Sequence, residues 1–212
     1  MRYRVAVTSL SLLLLGLSVQ SAEAQRRRGL VDISPSGDRH GFWMNIGVGA
    51  GTESSKFEGE NGYTEGLTKP VGSFRIGGTV SPNFRLGAEV TGWADRHYDS
   101  GLQDNVTSYV AGAFLIGQFY PSRKAGFFVK GGLGVTRVGE DIYGPGDLHE
   151  DGFGWTAGLG YEVKLSRSLY LTPTVDMLQH RSQVRDGAGV LQPALYDRVV
   201  SFGVALTIQP GR

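Results

Sequence analysis

The chain has 212 residues, a formal net charge of +1 and no cysteine, which fits one or two small domains and excludes disulfides, thiolate metal sites and cysteine nucleophiles. The near-balanced charge gives no sign of a nucleic-acid partner. The 33 glycines are roughly double the usual share of about 7%, and since only 8 prolines accompany them without a triplet repeat, they exclude collagen and indicate a β protein with close backbone contacts.

The N-terminus has the three parts of a secretory signal peptide. A basic start with Arg2 and Arg4 is followed by an apolar run over residues 5–19 and then by the small residues Ala22 and Ala24. The apolar run is shorter than the ~20 residues that a membrane-spanning helix needs. We therefore predict a signal peptide over residues 1–24, cleavage before Gln25 and a periplasmic N-terminal tail over residues 25–40.

From residue 41 to 208 the chain alternates apolar with small or polar side chains, which is the period of a β-strand. In the first segment Phe42, Ile46 and Val48 alternate with Asn45 and Gly47. Each segment is near the length of about 9–11 residues with which a tilted strand crosses a bilayer. The eight segments centre on residues 42–50, 73–80, 84–91, 109–120, 127–136, 153–164, 169–177 and 201–208. In the fourth segment both the odd-numbered and the even-numbered residues are apolar, so the sequence leaves open which of them face the interior.

The connections between these segments alternate in length. Short turns are predicted at 81–83, 121–125 and 166–168, and long polar loops at 51–69, 95–105, 139–151 and 181–197. Short turns on one side and long loops on the other are typical of an outer-membrane barrel. An even number of strands places both termini on the short-turn, periplasmic side.

A soluble barrel also alternates, but with its apolar face turned inward. Here the polar face is rich in glycine, serine and threonine, which would weaken water-exposed strands but leaves room for a few long side chains inside a narrow barrel. The apolar face is bulky in nearly every segment, as a lipid-facing band requires. We therefore predict an all-β fold, an eight-stranded antiparallel up-and-down transmembrane β-barrel over residues 41–209.

Aromatic residues near the segment ends predict two interfacial girdles. The girdle on the short-turn side would contain Phe42, Phe84, Phe119, Phe127 and Tyr170. The girdle on the long-loop side would contain Trp93, Tyr109, Phe153 and Trp155.

With these features the chain resembles the small eight-stranded outer-membrane β-barrel proteins of Gram-negative bacteria. Their last strand carries an assembly signal that reads polar-x-Gly-x-x-apolar-x-aromatic. Ser201, Gly203 and Leu206 match this signal, and Ile208 stands in place of the final aromatic residue.

The resemblance implies export to the periplasm, recognition by the barrel-assembly machinery and insertion in the outer membrane of a Gram-negative bacterium. It also implies contact with outer-membrane lipid and lipopolysaccharide, and a structural or surface-interaction role through the extracellular loops. We expect a monomer with no cofactor, no bound metal and no nucleic-acid partner.

The predicted inner face carries seven charged residues. Its cations are Arg75, Arg85, Lys130 and Lys164, and its anions are Glu89, Glu162 and Asp176. Charges in a narrow interior must be paired, so this near balance predicts an ion-pair network that plugs the lumen. A narrow small-solute channel is the alternative interpretation of the same residues.

One cluster suggests catalysis. His180 and Ser182, with Asp186 and Asp197 downstream, could activate a serine nucleophile and are similar to the His-x-Ser of the outer-membrane lipid A deacylases. That family usually has Asn after the serine and a Glu as the acid, whereas this chain has Gln183 and Asp197. The parity of His180 also predicts that it points into the lumen, away from lipid. We therefore interpret the protein as a non-enzyme, with a lipid A deacylase-like esterase as the alternative.

Overall fold

The structure is a computed structural model, and it describes residues 39–100, 104–142, 148–182 and 193–209. The predicted signal peptide and cleavage site lie outside these residues and stay predictions. The β-strands are β1 (Phe42–Phe57), β2 (Leu67–Ser81), β3 (Phe84–Asp99), β4 (Asp104–Phe119), β5 (Phe127–Ile142), β6 (Leu148–Tyr161), β7 (Val163–Lys164), β8 (Leu169–Ser182) and β9 (Leu195–Ile208).

These strands form one closed antiparallel sheet. Each strand from β1 to β5 pairs with the next along the chain. Strand β8 pairs with both β6 and β7, which together make one barrel strand interrupted at Glu162. Pairing of β1 with β9 closes the circle. The fold is therefore the predicted eight-stranded up-and-down barrel. Among the described residues, no helix has the length and hydrophobicity of a membrane span.

The alternation of side chains follows the pleat of the strands. The register of β4, which the sequence leaves open, is settled by burial: Leu115 is 74% exposed, whereas Phe114 and Ile116 are 3% and 1% exposed. The even-numbered residues of β4 therefore face the interior. Phe114 and Ile116 belong to an apolar interior cluster together with Trp43, Trp93, Val110, Leu178 and Val199.

The strands are longer than predicted, at 14–16 residues apart from the short β7. Pairing continues into stretches that the sequence assigns to long loops, because backbone hydrogen bonds do not require apolar side chains. The outward apolar face ends at Ala50 in β1, Met177 in β8 and Val200 in β9, and polar side chains follow it. The strand ends beyond these residues lie outside the membrane-spanning part.

Two girdle assignments are wrong. Trp93 and Tyr170 are 4% and 5% exposed and lie inside the barrel. The indole Nε1 of Trp93 donates to the carbonyl oxygen of Gly51 at 3.0 Å. Along their strands, both residues alternate in step with the inward-facing side chains. This alternation, and not the position near a strand end, decides which face of the sheet they lie on. Phe42, Phe84, Phe119 and Phe127 do face outward on the short-turn side.

Candidate functional site

Four charged side chains from four strands meet inside the barrel: Arg75 of β2, Glu89 of β3, Lys130 of β5 and Asp176 of β8. Arg75 Nε donates to Glu89 Oε1 at 2.8 Å, and Arg75 Nη2 donates to Asp176 Oδ2 at 2.7 Å. Lys130 Nζ lies 2.5 Å from Glu89 Oε2 and 2.9 Å from Asp176 Oδ1. Each cation therefore contacts both carboxylates. We call this formally neutral group the central charge cluster.

Small residues make room for the central charge cluster. Gly158 of β6 lies opposite Asp176 in the strand register. A Cβ atom at Gly158 would collide with Asp176 Oδ1, so any other residue would displace the carboxylate. The glycine-rich inner face thus allows long charged side chains to meet across a narrow barrel.

A second group, the base cluster, closes the short-turn end of the barrel and consists of Arg39, Arg85, Tyr120, Glu162 and Gln209. Arg85 Nη1 lies 2.5 Å from Glu162 Oε1 and donates to the Tyr120 hydroxyl at 2.7 Å. Arg85 Nη2 donates to Gln209 Oε1 at 2.5 Å. Glu162 reaches this cluster from the break between β6 and β7, where its backbone N–H donates to the Gly126 carbonyl oxygen in register with the β5–β6 ladder.

Arg39 is the charged member of the base cluster that sequence reasoning misses. It precedes β1, in the stretch assigned to the periplasmic tail, yet its side chain is buried in the barrel mouth. Its guanidinium stacks 3.7 Å from the centroid of the Tyr120 ring, and Nε lies 3.5 Å from Glu162 Oε2. Nη2 donates to the Ala125 carbonyl oxygen at 2.6 Å. Strand periodicity carries no signal for a residue outside the strands.

Six of the seven predicted lumen residues thus join one of the two clusters, and Lys164 joins neither. Lys164 lies opposite Tyr170 in the register, and its ammonium pairs with no carboxylate of the described residues. Among the described residues it lies outside both clusters, and its place in the ion-pair network stays a prediction. Lys164 follows the break at Glu162 and is only half-buried, so water rather than a carboxylate can solvate it.

Little space remains around the central charge cluster. One cavity beside Glu89 and Asp176 has a volume of about 10 Å³, and another beside Ser73 and Asp176 has about 20 Å³. A cavity of ~10–15 Å³ holds about one water molecule. Single waters fit beside the cluster, but a solute does not.

The candidate catalytic residues lie near the long-loop end. His180 and Asp197 are opposed in the β8–β9 register and are 0% and 4% exposed. The His180 Nδ1 atom shares a hydrogen bond of 2.7 Å with the Thr136 hydroxyl. The Ser182 hydroxyl donates to Glu150 Oε2 at 2.6 Å. The serine is thus engaged by Glu150, and the His180 side chain points inward as its parity predicts.

Burial shifts the titration of these residues, which lie beyond the membrane-spanning part. Burial raises the pKa of the Asp197 carboxyl to about 7, and the charges of Glu53 and Glu150 act in the same direction. Burial lowers the pKa of His180, against the opposing effect of Glu150 and Asp151. The imidazole is therefore mostly neutral at pH 7, and Asp197 pairs with no cation in the part of the chain that the structure describes.

The predicted assembly strand is β9, which closes the barrel between β1 and β8. Ser201 and Gly203 have the inward parity, and Leu206 and Ile208 are exposed on the outer face at 48% and 36%. Among the described residues, no group of three or more histidines, aspartates and glutamates is placed to hold a metal ion.

The family model for the outer membrane protein beta-barrel domain matches residues 9–205 of the chain. A search of curated proteins finds no match.

Solved structures are similar to this chain at low sequence identity. Neisserial surface protein A is 11% identical with a TM-score of 0.50, and the match covers 84% of this chain and 100% of that one. The attachment invasion locus protein Ail of Yersinia pestis, in complex with the heparin analogue sucrose octasulfate, is 9% identical with a TM-score of 0.49, over 79% of this chain and 99% of that one. OprG of Pseudomonas aeruginosa is 15% identical with a TM-score of 0.46, over 82% and 99%.

Proposed function

Because this chain belongs to the outer membrane protein beta-barrel domain family, and is thus a Gram-negative outer-membrane protein, we propose that it is a closed, non-conducting anchor. In this proposal the barrel holds the strand ends and loops of the long-loop side at the cell surface, where they interact with the surroundings. The barrel itself acts as a rigid support.

The central charge cluster is the observation that carries this proposal. A channel needs a continuous water-filled path, and the cavities beside the cluster have volumes of only about 10 and 20 Å³. Opening a path would separate Lys130 or Arg75 from carboxylates 2.5–2.9 Å away in a buried setting. Separating these ions without new partners would leave buried charges uncompensated, which favours the closed state.

Outer-membrane lipid and lipopolysaccharide are the proposed surroundings of this anchor. The outward face presents exposed apolar side chains such as Val48, Leu133 and Phe202 to lipid tails. Beyond this band, the exposed Arg96 and Arg181 face outward on the long-loop side. Guanidinium groups at that level suit the phosphate groups of lipopolysaccharide. We propose that the protein is a monomer and that the barrel-assembly machinery recognises β9.

In this proposal the protein is not an enzyme. A lipid A deacylase must present its nucleophile to lipid, whereas Ser182 is buried and donates its hydroxyl hydrogen to Glu150. His180 is fully buried, with its Nδ1 engaged by Thr136. These contacts argue against the esterase alternative with His180 and Ser182.

Conductance in a planar lipid bilayer tests the proposal. The refolded full-length protein is expected to produce at most small and rare openings. The matched comparison is the quadruple variant in which Arg75, Glu89, Lys130 and Asp176 are each replaced by Ala, which removes the central charge cluster without leaving an unpaired charge. Because the base cluster still closes the short-turn end, that variant is expected to open more often than the wild type but not to conduct steadily. A large and steady conductance of the wild-type protein would overturn the proposal in favour of the narrow channel.

A further inference from the structure

A chamber lies between the central charge cluster and the long-loop end of the barrel. It has a volume of about 920 Å³ and is lined by residues of β1 to β6 and β9. Trp93 and Val110 line both this chamber and the small cavity next to the central charge cluster, so the chamber is closed on that side. We call it the vestibule. Its volume lies at the upper end of the roughly 300–1,000 Å³ typical of small-molecule sites.

Carboxylates dominate the wall of the vestibule. Five of them belong to residues whose parity turns them inward: Glu53 of β1, Asp95 of β3, Glu140 of β5, Glu150 of β6 and Asp197 of β9. The facing cationic or titratable side chains among the described residues are Lys69 of β2, His97 of β3 and the buried His180 of β8. Lys69 Nζ lies 2.5 Å from Asp95 Oδ1, and His97 Nδ1 lies 3.4 Å from Asp95 Oδ2. Lys69 and His97 therefore both contact Asp95, and the other four carboxylates pair with no cation among the described residues.

Asp197 is the carboxylate that most needs a partner. It is 4% exposed, lines the vestibule, and its Oδ2 atom has no hydrogen-bond partner among the described residues. A buried polar atom without a partner costs free energy, and a buried unpaired charge costs more. Burial, with the charges of Glu53 and Glu150, raises the pKa of the Asp197 carboxyl to about 7. A cation in the vestibule would relieve this unfavourable arrangement.

The remaining wall of the vestibule is apolar. Leu67, Trp93, Val110, Val138 and Leu195 line it together with the carboxylates. An apolar wall with a few charged groups binds amphipathic molecules, since the wall takes the hydrocarbon part and the charges orient the polar part. The indole ring of Trp93 also attracts an ammonium group that lies close to its face. A metal ion fits less well, because no three described metal-binding side chains are placed to hold one.

We propose that the vestibule is a binding site for small organic cations, namely amines that carry an aromatic or aliphatic body. The ammonium group pairs with the Asp197 carboxylate, near Glu53 and Glu150, and the body packs against Trp93, Val110 and Leu195. This site goes beyond the proposed anchor function and does not depend on it, because the vestibule would bind the amine whether or not the barrel conducts.

Calorimetric titration of the refolded full-length protein with tryptamine tests the proposal. Tryptamine combines a primary ammonium with an aromatic body, and indole-3-propionate presents the same ring with a negative charge. We expect the wild-type protein to bind tryptamine and not indole-3-propionate. Asp197→Asn should weaken tryptamine binding by about tenfold or more, because a charge-assisted contact is lost. Glu65→Gln is the matched control, since Glu65 is an exposed carboxylate of the same side that does not line the vestibule, and it should bind as the wild type does.

The pH dependence of tryptamine binding provides a second measurement. Between pH 6 and 8 the affinity of the wild-type protein should rise, because Asp197 ionises while a primary amine stays protonated. The other titratable side chains that face the site are His97, His149, Lys69, Glu53, Glu140 and Glu150, and all of them are unchanged in Asp197→Asn. In Asp197→Asn the rise should therefore shrink. Equal binding of tryptamine by wild type and Asp197→Asn, or binding of indole-3-propionate, would overturn the proposal. Asp197-dependent binding of calcium in place of tryptamine would also overturn it and identify a metal site.

Discussion

Arg75 and Glu89 stand directly opposite each other on β2 and β3, and Arg75 Nε lies 2.8 Å from Glu89 Oε1 inside the barrel, where both side chains are only 1% exposed. The two strands are joined by a short turn, so this pair forms within one hairpin. Lys130 and Asp176 then join it from β5 and β8, which are distant in sequence. The central charge cluster is complete only when the barrel has closed.

Removal of Glu89 should destabilise the barrel strongly. Glu89→Ala leaves Lys130 and Arg75 with one shared carboxylate, Asp176, and the expected loss is about 3–5 kcal/mol. Urea unfolding in lipid vesicles measures this loss, and Glu65→Ala, which removes an exposed carboxylate, should change stability by less than about 0.5 kcal/mol.

A double variant of Glu89→Leu with Lys130→Met removes one charge of each sign, so it should be more stable than Glu89→Leu alone. Equal effects of Glu89→Ala and Glu65→Ala would contradict this account.

Arg39 should tie the segment before β1 to the barrel base. Arg39→Ala removes its stacking on Tyr120 and its hydrogen bonds to Glu162 and Ala125, with an expected loss of about 1–3 kcal/mol. Arg39→Lys should not restore the stability, because an ammonium lacks the planar fork that reaches several acceptors. The midpoint of unfolding in urea provides the measurement. Lys124→Ala, at an exposed position of the turn that contains Ala125, is the control. A midpoint of Arg39→Ala equal to that of Lys124→Ala would show that Arg39 contributes nothing.

Asp197 should make the stability depend on pH. Folding raises the pKa of Asp197 from its ordinary 3.8 to about 7, so between these values the folded protein binds more protons than the unfolded chain, and stability falls as the pH rises. Asp197→Asn should remove this loss. The variant should be more stable than the wild type at pH 8, by on the order of 1–4 kcal/mol, with the difference vanishing near pH 4.

Asp151→Asn is the control for that measurement. A hydrogen bond from Arg137 lowers the pKa of the Asp151 carboxyl, the opposite direction to Asp197. Neutralising Asp151 should therefore give no gain in stability at pH 8. A difference between Asp197→Asn and the wild type that stays constant from pH 4 to pH 8 would refute the role assigned to Asp197.

His180→Ala should leave lipid A unchanged. His180 is fully buried and Ser182 is held by Glu150, so no nucleophile is presented to the bilayer. Mass spectrometry of lipid A should give the same species from cells that produce the wild-type protein, His180→Ala or neither. A deacylated species found only with the wild type would establish the esterase alternative.

The sequence by itself determined the architecture, because a lipid-facing barrel imposes one repeating rule on every strand. Apolar residues alternate with small or polar ones along the strands, and that alternation predicts both the strand count and the inward parity of Arg75, Glu89, Lys130 and His180. Position near a strand end is a poorer guide than this alternation. It predicts that Trp93 and Tyr170 lie in the girdles, whereas both face the interior, as the alternation along their strands requires.

Only the tertiary structure decided which inward residues meet. The alternation along a strand decides whether a side chain faces the lumen or the lipid. Its position along the barrel axis depends on the tilt and stagger of the strands in the closed barrel. That geometry joins Arg75, Glu89, Lys130 and Asp176, carries Glu162 to a separate cluster with Arg85, and leaves Lys164 outside both. Arg39 enters the barrel from outside the strands, where no periodicity applies. The apposition of Asp197 with Glu53 and Glu150 likewise arises from three different strands, so the vestibule becomes visible only in the closed barrel.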